Sequence, residues 1–190
     1  MINKKDFEEM RKELESFDGV REEIIAMSRE IVRLSKKVIY SVHRKEMKEA
    51  DSAVAQIKKA VKNIIKGSED SELEYSGSRR IALQEYVEAI CYYEYVKTGK
   101  VPTHKEVGVD AESYLLGICD LSGELVRNAI NGAIEGDFKN ALNVKELVTE
   151  LYWELSQFDL RNGELRRKYD GIKYDLKKLE DLVLQLKLRK

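Results

Sequence analysis

Apolar side chains recur at spacings of three and four residues along most of this chain, and this periodicity constrains its fold more than any other feature. Such spacing places residues on one face of an α-helix, and no segment shows the alternation typical of a strand. A single proline in 190 residues removes the commonest helix breaker. The sequence therefore predicts an all-α fold, a single domain over residues 1–190 that forms a bundle of about seven helices.

Capping and turn residues predict where the helices begin and end. Asn3 caps a short first helix that the Asp18-Gly19 pair ends, and a long second helix begins at Val20. A third helix stops at Gly67, and polar residues 68–72 and 76–78 form a connection. A fourth helix covers residues 81–96 and closes at 98–99, and residues 100–109 form a long loop.

The last three predicted helices follow that loop. Asp110 caps a fifth helix that ends near Ile134, and Asn143 starts a sixth through a capping-box spacing with Glu146. The seventh begins near Asn162 and carries an unbroken heptad seam, which suits packing inside an antiparallel bundle or against another chain. The seam consists of Leu165, Tyr169, Ile172, Leu176, Leu179, Val183 and Leu186.

The overall charge narrows the classes of partner. Thirty-four basic residues almost cancel 35 acidic ones, and the formal net charge of −1 gives no global field that would attract nucleic acid or an acidic membrane. An anionic partner must therefore be bound by a local patch. No apolar run approaches the length of about 18 residues that predicts a membrane span, and the N-terminus lacks the apolar core of a signal peptide. We therefore expect a cytoplasmic protein without a membrane partner.

Two carboxylates interrupt the most apolar helix. Residues 81–96 read IALQEYVEAICYYEYV, and Glu85 and Glu88 lie three residues apart, on one side of the helix. Burying an unpaired carboxylate is costly, and two neighbouring ones also repel each other. The pair therefore requires a compensating cation or proton.

The fifth helix repeats this anomaly. Asp120 and Glu124 lie four residues apart in a mostly apolar stretch that also contains small residues able to admit a neighbouring helix, namely Gly117, Ser122 and Gly123. Packing the two helices together would make four carboxylates converge. An all-oxygen set without histidine or cysteine suits Mg²⁺ or Mn²⁺. The alternatives are that these acids form solvated faces, or that Arg127 pairs with Glu124.

Other polar and reactive residues give weaker signals. His43 and His104 have no companion nucleophile and are predicted to be surface or capping residues, and the two cysteines, Cys91 and Cys119, to be small core residues. Arg79 and Arg80 precede Glu85 by one to two turns, where they could hold a phosphate chain or simply lie on the surface. The basic run at 166–168 is either a solvated face or a contact to a nucleic-acid backbone. The tyrosines at 86, 92, 93 and 95 are predicted to lie in the core.

Three segments resemble known proteins, in the same order along the chain. Residues 165–189, LRRKYDGIKYDLKKLEDLVLQLKLR, resemble the C-terminal helix of translin. Residues 114–132, YLLGICDLSGELVRNAING, resemble a helix of the translin and TRAX family. Residues 83–89, LQEYVEA, resemble TRAX, whereas translin lacks acids at these places. This mixture of features resembles a single-gene form that assembles with itself.

The resemblance implies a seven-helix bundle that forms a hollow, octamer-like homo-oligomer and handles single-stranded RNA or DNA. It implies a Mg²⁺- or Mn²⁺-dependent endoribonuclease in which Glu85, Glu88, Asp120 and Glu124 are catalytic and hold the metal. Arg79, Arg80 and Arg127 are predicted contacts to the nucleic-acid phosphates. Two alternatives remain open at this point. One is a translin-like protein that binds single strands without cutting them, and the other is a structural module whose acids pair with Arg127 and nearby lysines.

Overall fold

The computed structural model describes residues 2–68 and 76–188, which form an all-α fold of seven helices. The helices are α1 (Lys4–His43), α2 (Met47–Ser68), α3 (Gly77–Thr98), α4 (His104–Val107), α5 (Ala111–Ile134), α6 (Phe138–Ser156) and α7 (Glu164–Leu188). The predicted all-α class is confirmed. Among the described residues, no helix is both long enough and apolar enough to cross a membrane.

Helix α3 lies at the centre of the bundle, packed against α1 on one side and α5 on the other. Helix α2 packs on α1, while α6 and α7 complete the far side of α5. The nearly all-round apolar character of α3 follows from this central position, because both of its faces are covered. Tyr92 is fully buried there, as predicted, and both cysteines are buried too.

The first 40 helical residues form one continuous helix, so the predicted break at Asp18-Gly19 is wrong. One glycine inside a helix costs only about 1 kcal/mol, and the residues on both sides of this pair are good helix formers. The predicted cap is present, since the Asn3 side chain accepts hydrogen bonds from the Lys5 and Asp6 amides. Every described residue before Ile24 is exposed, so the first half of α1 extends beyond the core.

Two further boundaries differ from the prediction. The predicted long loop contains the one-turn helix α4, which Thr103 and Glu106 stabilise through a capping box. Helix α6 begins at Phe138 instead of Asn143. The Asp137 side chain accepts a hydrogen bond from the Asn140 amide and so caps the helix at this earlier position. The predicted connection at 68–72 lies outside the described residues, apart from Ser68.

The heptad seam of α7 is used inside the chain. Helix α7 packs on α5 and α6, and the seam residues Tyr169, Ile172, Leu179 and Val183 are buried. The Tyr169 ring stacks on that of Tyr152 in α6, with ring centroids 4.9 Å apart. Of the two predicted uses of the seam, packing within the bundle is the one observed.

Candidate metal centre between α3, α5 and α7

A glycine allows α3 and α5 to approach closely. A Cβ atom added at Gly117 would lie 2.5 Å from the Val87 Cβ and 2.7 Å from the Gln84 carbonyl oxygen, so no larger residue fits without moving a helix. Gly123, also predicted to admit a helix, has open space around it. The contact at Gly117 places the acid-bearing faces of α3 and α5 side by side.

The two faces meet in a cleft of about 430 Å³ that α7 closes on its third side. Glu85, Glu88 and Asp120 all line this cleft, which we call the acid cleft. Glu124 lies one turn beyond Asp120, and its charge contributes to the electrostatics of Glu88. The structure therefore brings three of the four predicted acids into one cleft and places Glu124 close enough to act on Glu88 through its charge. The remaining lining residues are Cys119, Ser122, Gly123, Lys168, Gly171 and Asp175.

Glu88 experiences the strongest electrostatic perturbation in the acid cleft. Burial raises its pKa to about 8, and the charges of Asp120, Glu85 and Glu124 act in the same direction. Lys168 lowers the pKa but does not balance these effects. The raised pKa favours the protonated form of Glu88, chiefly because the carboxyl is buried.

Burial also raises the pKa of Glu85 above its ordinary value, and the charge of Asp120 raises it further. Lys36, which belongs to α1, opposes this shift, as does Lys168. The two glutamates of α3 therefore share a surplus of negative charge, and the basic groups that offset it come from the first and last helices.

Lys168 is the direct counter-charge of Asp120. Its ammonium nitrogen lies 2.6 Å from Oδ1 and 2.9 Å from Oδ2 of that carboxylate. The Gln84 side-chain amide donates a further hydrogen bond to Oδ2. Two predictions made from the sequence are corrected here. Lys168 lines the cleft instead of lying on a solvated face. It also contacts its acid at 2.6 Å, whereas Arg127 lies 3.8 Å from the nearest one, Glu124.

Glu124 is held by a histidine that the sequence did not assign to the site. The His43 Nε2 atom hydrogen-bonds to the Glu124 carboxylate, and only 5% of the His43 side chain is exposed, so its predicted surface role is wrong. The other ring nitrogen lies 3.0 Å from the Tyr92 hydroxyl, which also accepts a hydrogen bond from Asn128. Arg127 lies farther away, with its guanidinium 3.8 Å from the Glu124 carboxylate.

The other two predicted arginines lie elsewhere. Arg79 and Arg80 begin α3 and line a second cavity together with Asp110 and Glu112. The Arg80 guanidinium pairs with Glu164 at 3.2 Å and lies 3.8 Å from Glu112. Neither arginine lines the acid cleft, so any phosphate contact that they make lies away from the four acids.

The chemistry of the cleft fits a hard divalent cation. Carboxylate oxygens are the ligands that Mg²⁺ and Mn²⁺ prefer, and a bound cation would offset the acidic charges that add to the effect of burial on the pKa of Glu88. The side-chain positions do not form a ready-made ligand set, since no group of three or more His, Cys, Asp or Glu among the described residues is placed to hold a metal. Binding would therefore require side chains to rearrange, and Lys168 would have to release Asp120.

A polar stripe in the sequence of α7 is the signal that could have predicted which residues line the third side of the cleft. Lys168, Gly171 and Asp175 follow each other at spacings of three and four beside the heptad seam, and all three line the cleft. Ser122, predicted to be a small packing residue, donates a hydrogen bond of 2.8 Å to Asp175. A polar stripe that contains a glycine next to a buried seam is therefore a usable signal.

Comparison with known proteins agrees with this architecture. The translin family model matches residues 19–190. The chain belongs to the translin family. Translin of Gallus gallus is 32% identical over 124 residues, which cover 58% of this chain and 54% of that protein. This member therefore spans about half the length of the translins that it matches.

Two other relatives cover more of this translin-family chain. An uncharacterized protein of Methanocaldococcus jannaschii is 31% identical over 157 residues, which cover 80% of this chain and 70% of that protein. Translin-associated protein X of Mus musculus is 24% identical, and the match covers 96% of this chain and 78% of that protein. The predicted resemblance to both translin and TRAX is confirmed.

Solved structures share the complete fold. The crystal structure of apo-NeC3PO matches with a TM-score of 0.89 and 31% identity, covering 97% of this chain and 98% of that chain. The structure of an AfC3PO–duplex RNA complex matches with a TM-score of 0.85 and 27% identity, covering 97% of this chain and 98% of that one. The translin-like fold is thus shown over nearly the whole chain.

Proposed function

We propose that this protein is a Mg²⁺- or Mn²⁺-dependent endoribonuclease that hydrolyses single-stranded RNA, with single-stranded DNA as a further substrate. The three acids of α3 and α5 that line one cleft, with Glu124 one turn beyond Asp120, support this most directly. A fully paired structural cluster would be expected to keep its carboxyl groups near their ordinary pKa, whereas burial and the neighbouring acids raise the pKa of Glu88 to about 8. A carboxyl perturbed in this way inside a cleft is typical of functional sites.

Glu85, Glu88, Asp120 and Glu124 would hold the metal. When bound there, such an ion would supply Lewis-acid chemistry, which would lower the pKa of water and offset negative charge on a phosphate. The chain contributes placement of the carboxylates, through the close contact of α3 and α5 at Gly117. The hydrogen bond from His43 would hold the carboxylate of Glu124 in place.

Nucleic-acid binding is supported by membership of the translin family and by the likeness to a protein solved with duplex RNA. Arg127 is the best-placed of the predicted phosphate contacts, because it lies beside Glu124 and half of its side chain is exposed. Arg79 and Arg80 would contact the strand outside the acid cleft. Since the solved relative is bound to a duplex, single-stranded and duplex RNA must be compared directly.

A second candidate is a protein that binds nucleic acid without cutting it. The contact from Lys168 to both oxygens of Asp120 favours this alternative, because a permanent ion pair would prevent Asp120 from binding a metal through both oxygens. The two candidates make different predictions for catalysis and the same prediction for binding.

We also propose that the protein assembles with itself, through the first half of α1. Large apolar residues of this segment are exposed at the heptad spacing, and burying the exposed half of each against a second copy would contribute about 1 kcal/mol. The exposed residues are Phe7, Met10, Leu14 and Phe17.

The test of the proposed function is cleavage of a labelled RNA in single-stranded and duplex form, with Mn²⁺ or with EDTA. We expect wild type to cut the single strand only when the metal is present, and Asp120→Ala to bind the same strand without cutting it. Binding without cleavage by wild type in Mg²⁺ and in Mn²⁺ would select the second candidate.

A further inference from the structure

Lys168 and Asp120 form an ion pair in the acid cleft that uses both carboxylate oxygens. The ammonium contacts both carboxylate oxygens, at 2.6 and 2.9 Å, and Gln84 adds a third donor. A carboxylate offers about four lone-pair positions, so three of those on Asp120 already face protein donors. One position on Oδ1 is left, so a metal ion that bound both oxygens of Asp120 would have to displace the ammonium.

The two partners are also partly shielded from water, which strengthens the contact. About 23% of the Lys168 side chain and 25% of the Asp120 side chain are exposed. Lysine differs from arginine in carrying a compact charge on a flexible stem of four carbons, so it can leave a carboxylate without moving the helix. The cleft remains open beside it, because Gly171 of the same helix face has no side chain and open space around it.

We propose that Lys168 is a tethered counter-cation that binds Asp120 in the metal-free protein and is exchanged for a divalent ion when the acid cleft is loaded. The exchange keeps the Asp120 carboxylate paired with a cation whether or not metal is bound, and it makes the affinity for metal depend on how firmly Lys168 holds Asp120. The inference rests on the proposed metal site and adds that Lys168 competes with the metal ion for Asp120. In this role Lys168 is a positioning residue, since it acts through Asp120.

The experiment measures Mn²⁺ binding by the full chain, followed by loss of the electron paramagnetic resonance signal of free aqueous Mn²⁺. Lys168→Met removes the competing charge while keeping an unbranched stem, and we expect its Kd to be about tenfold lower than that of wild type, because hydrogen bonds to charged groups no longer have to be broken. Lys168→Arg keeps the charge in a bidentate fork that fits a carboxylate, and we expect it to bind Mn²⁺ more weakly than wild type.

The matched control is Lys173→Met, which removes the same charge from an exposed position on the same helix, where the ammonium lies over the Tyr174 ring. We expect its Kd to equal that of wild type. A second readout is thermal unfolding. Lys168→Met should unfold at a lower temperature than wild type in EDTA, and saturating Mn²⁺ should abolish the difference, whereas a purely structural lysine would leave it in place.

The outcomes separate the two proposals. If wild type binds Mn²⁺ and Lys168→Met binds it equally or more weakly, the exchange is refuted while the metal site stands. If Lys168→Met fails to fold, Lys168→Arg decides, and an affinity equal to or above that of wild type refutes the exchange. If neither wild type nor either variant binds Mn²⁺, the proposed metal site itself fails. Binding by Lys168→Met alone would establish Lys168 as the blocking group.

Discussion

Replacing Glu88 with glutamine should stabilise the metal-free protein, in a manner that depends on pH. The folded pKa of Glu88 is about 8, compared with an ordinary value of 4.5. A carboxyl whose pKa is raised by folding contributes stability below its unfolded pKa, and this contribution is lost as the pH rises toward the folded pKa. Between pH 4.5 and pH 8, wild type should therefore lose stability that Glu88→Gln retains.

The size of the effect follows from linkage. With one pKa unit worth 1.36 kcal/mol, the contribution lost by pH 7 is on the order of 3 kcal/mol, and partial solvent access to the cleft makes this an upper bound. For a chain of this length 1 kcal/mol shifts the melting temperature by about 2–4 °C. We therefore expect Glu88→Gln to melt up to roughly 10 °C above wild type at pH 7 in EDTA, and close to wild type at pH 4.

Differential scanning calorimetry in EDTA across this pH range is the appropriate assay. Glu150→Gln, which makes the same change at an exposed position of α6, is the control and should leave the melting temperature near that of wild type. A stabilisation by Glu88→Gln that is the same at pH 4 and pH 7 would refute the electrostatic explanation. Absence of any stabilisation at pH 7 would show that Glu88 is already balanced by positive charge.

Three further predictions concern packing, assembly and metal binding. Gly117→Ala should destabilise the fold by about 1–3 kcal/mol in urea unfolding, since its Cβ would collide with α3, whereas Gly123→Ala, in open space, should not. Leu14→Glu should reduce the mass measured by light scattering if α1 forms the contact between copies, and an unchanged mass would exclude that surface. His43→Ala should weaken Mn²⁺ binding by removing the hydrogen bond that orients Glu124, and His43→Gln should restore part of it, because its amide can donate the same bond.

Much of the candidate site could be predicted from two local signals. Acids on one stripe of an otherwise apolar helix mark a carboxylate that faces the protein interior, and Gly117 marks where a second helix approaches. Both are properties of a single helix, so the sequence displays them directly. Together they predicted the convergence of α3 and α5, which the structure confirms.

The side chains that pair with the acids could not be predicted in this way. Lys168 comes from α7 and His43 from the end of α1, and their contacts to Asp120 and Glu124 depend on the rotation and register of helices that are distant in sequence. Periodicity gives the face of a helix that is buried but not the neighbour that covers it. Spacing alone predicts Arg127 as the partner of Glu124, because the two residues are neighbours within one helix.

Some helix ends could not be predicted from local sequence signals either. Asp18-Gly19 has the composition of a turn, yet the helix continues, because local preferences of about 1 kcal/mol do not end a helix when both flanking segments favour it. The capping-box spacing at Asn143 lies inside α6, since Asp137 already caps the preceding turn. Local signals identified the helices reliably but placed some of their ends incorrectly.

The most direct test of the acid cleft is the single-turnover cleavage rate of a labelled single-stranded RNA, measured against Mn²⁺ concentration for wild type, Glu88→Gln and Glu150→Gln. We predict metal-dependent cleavage by wild type and by Glu150→Gln, and a rate lower by a factor of 100 or more, on the order of 3 kcal/mol in transition-state stabilisation, for Glu88→Gln. Cleavage by Glu88→Gln at the wild-type rate, with the same dependence on Mn²⁺, would contradict the proposal that this cleft is a metal-dependent active site.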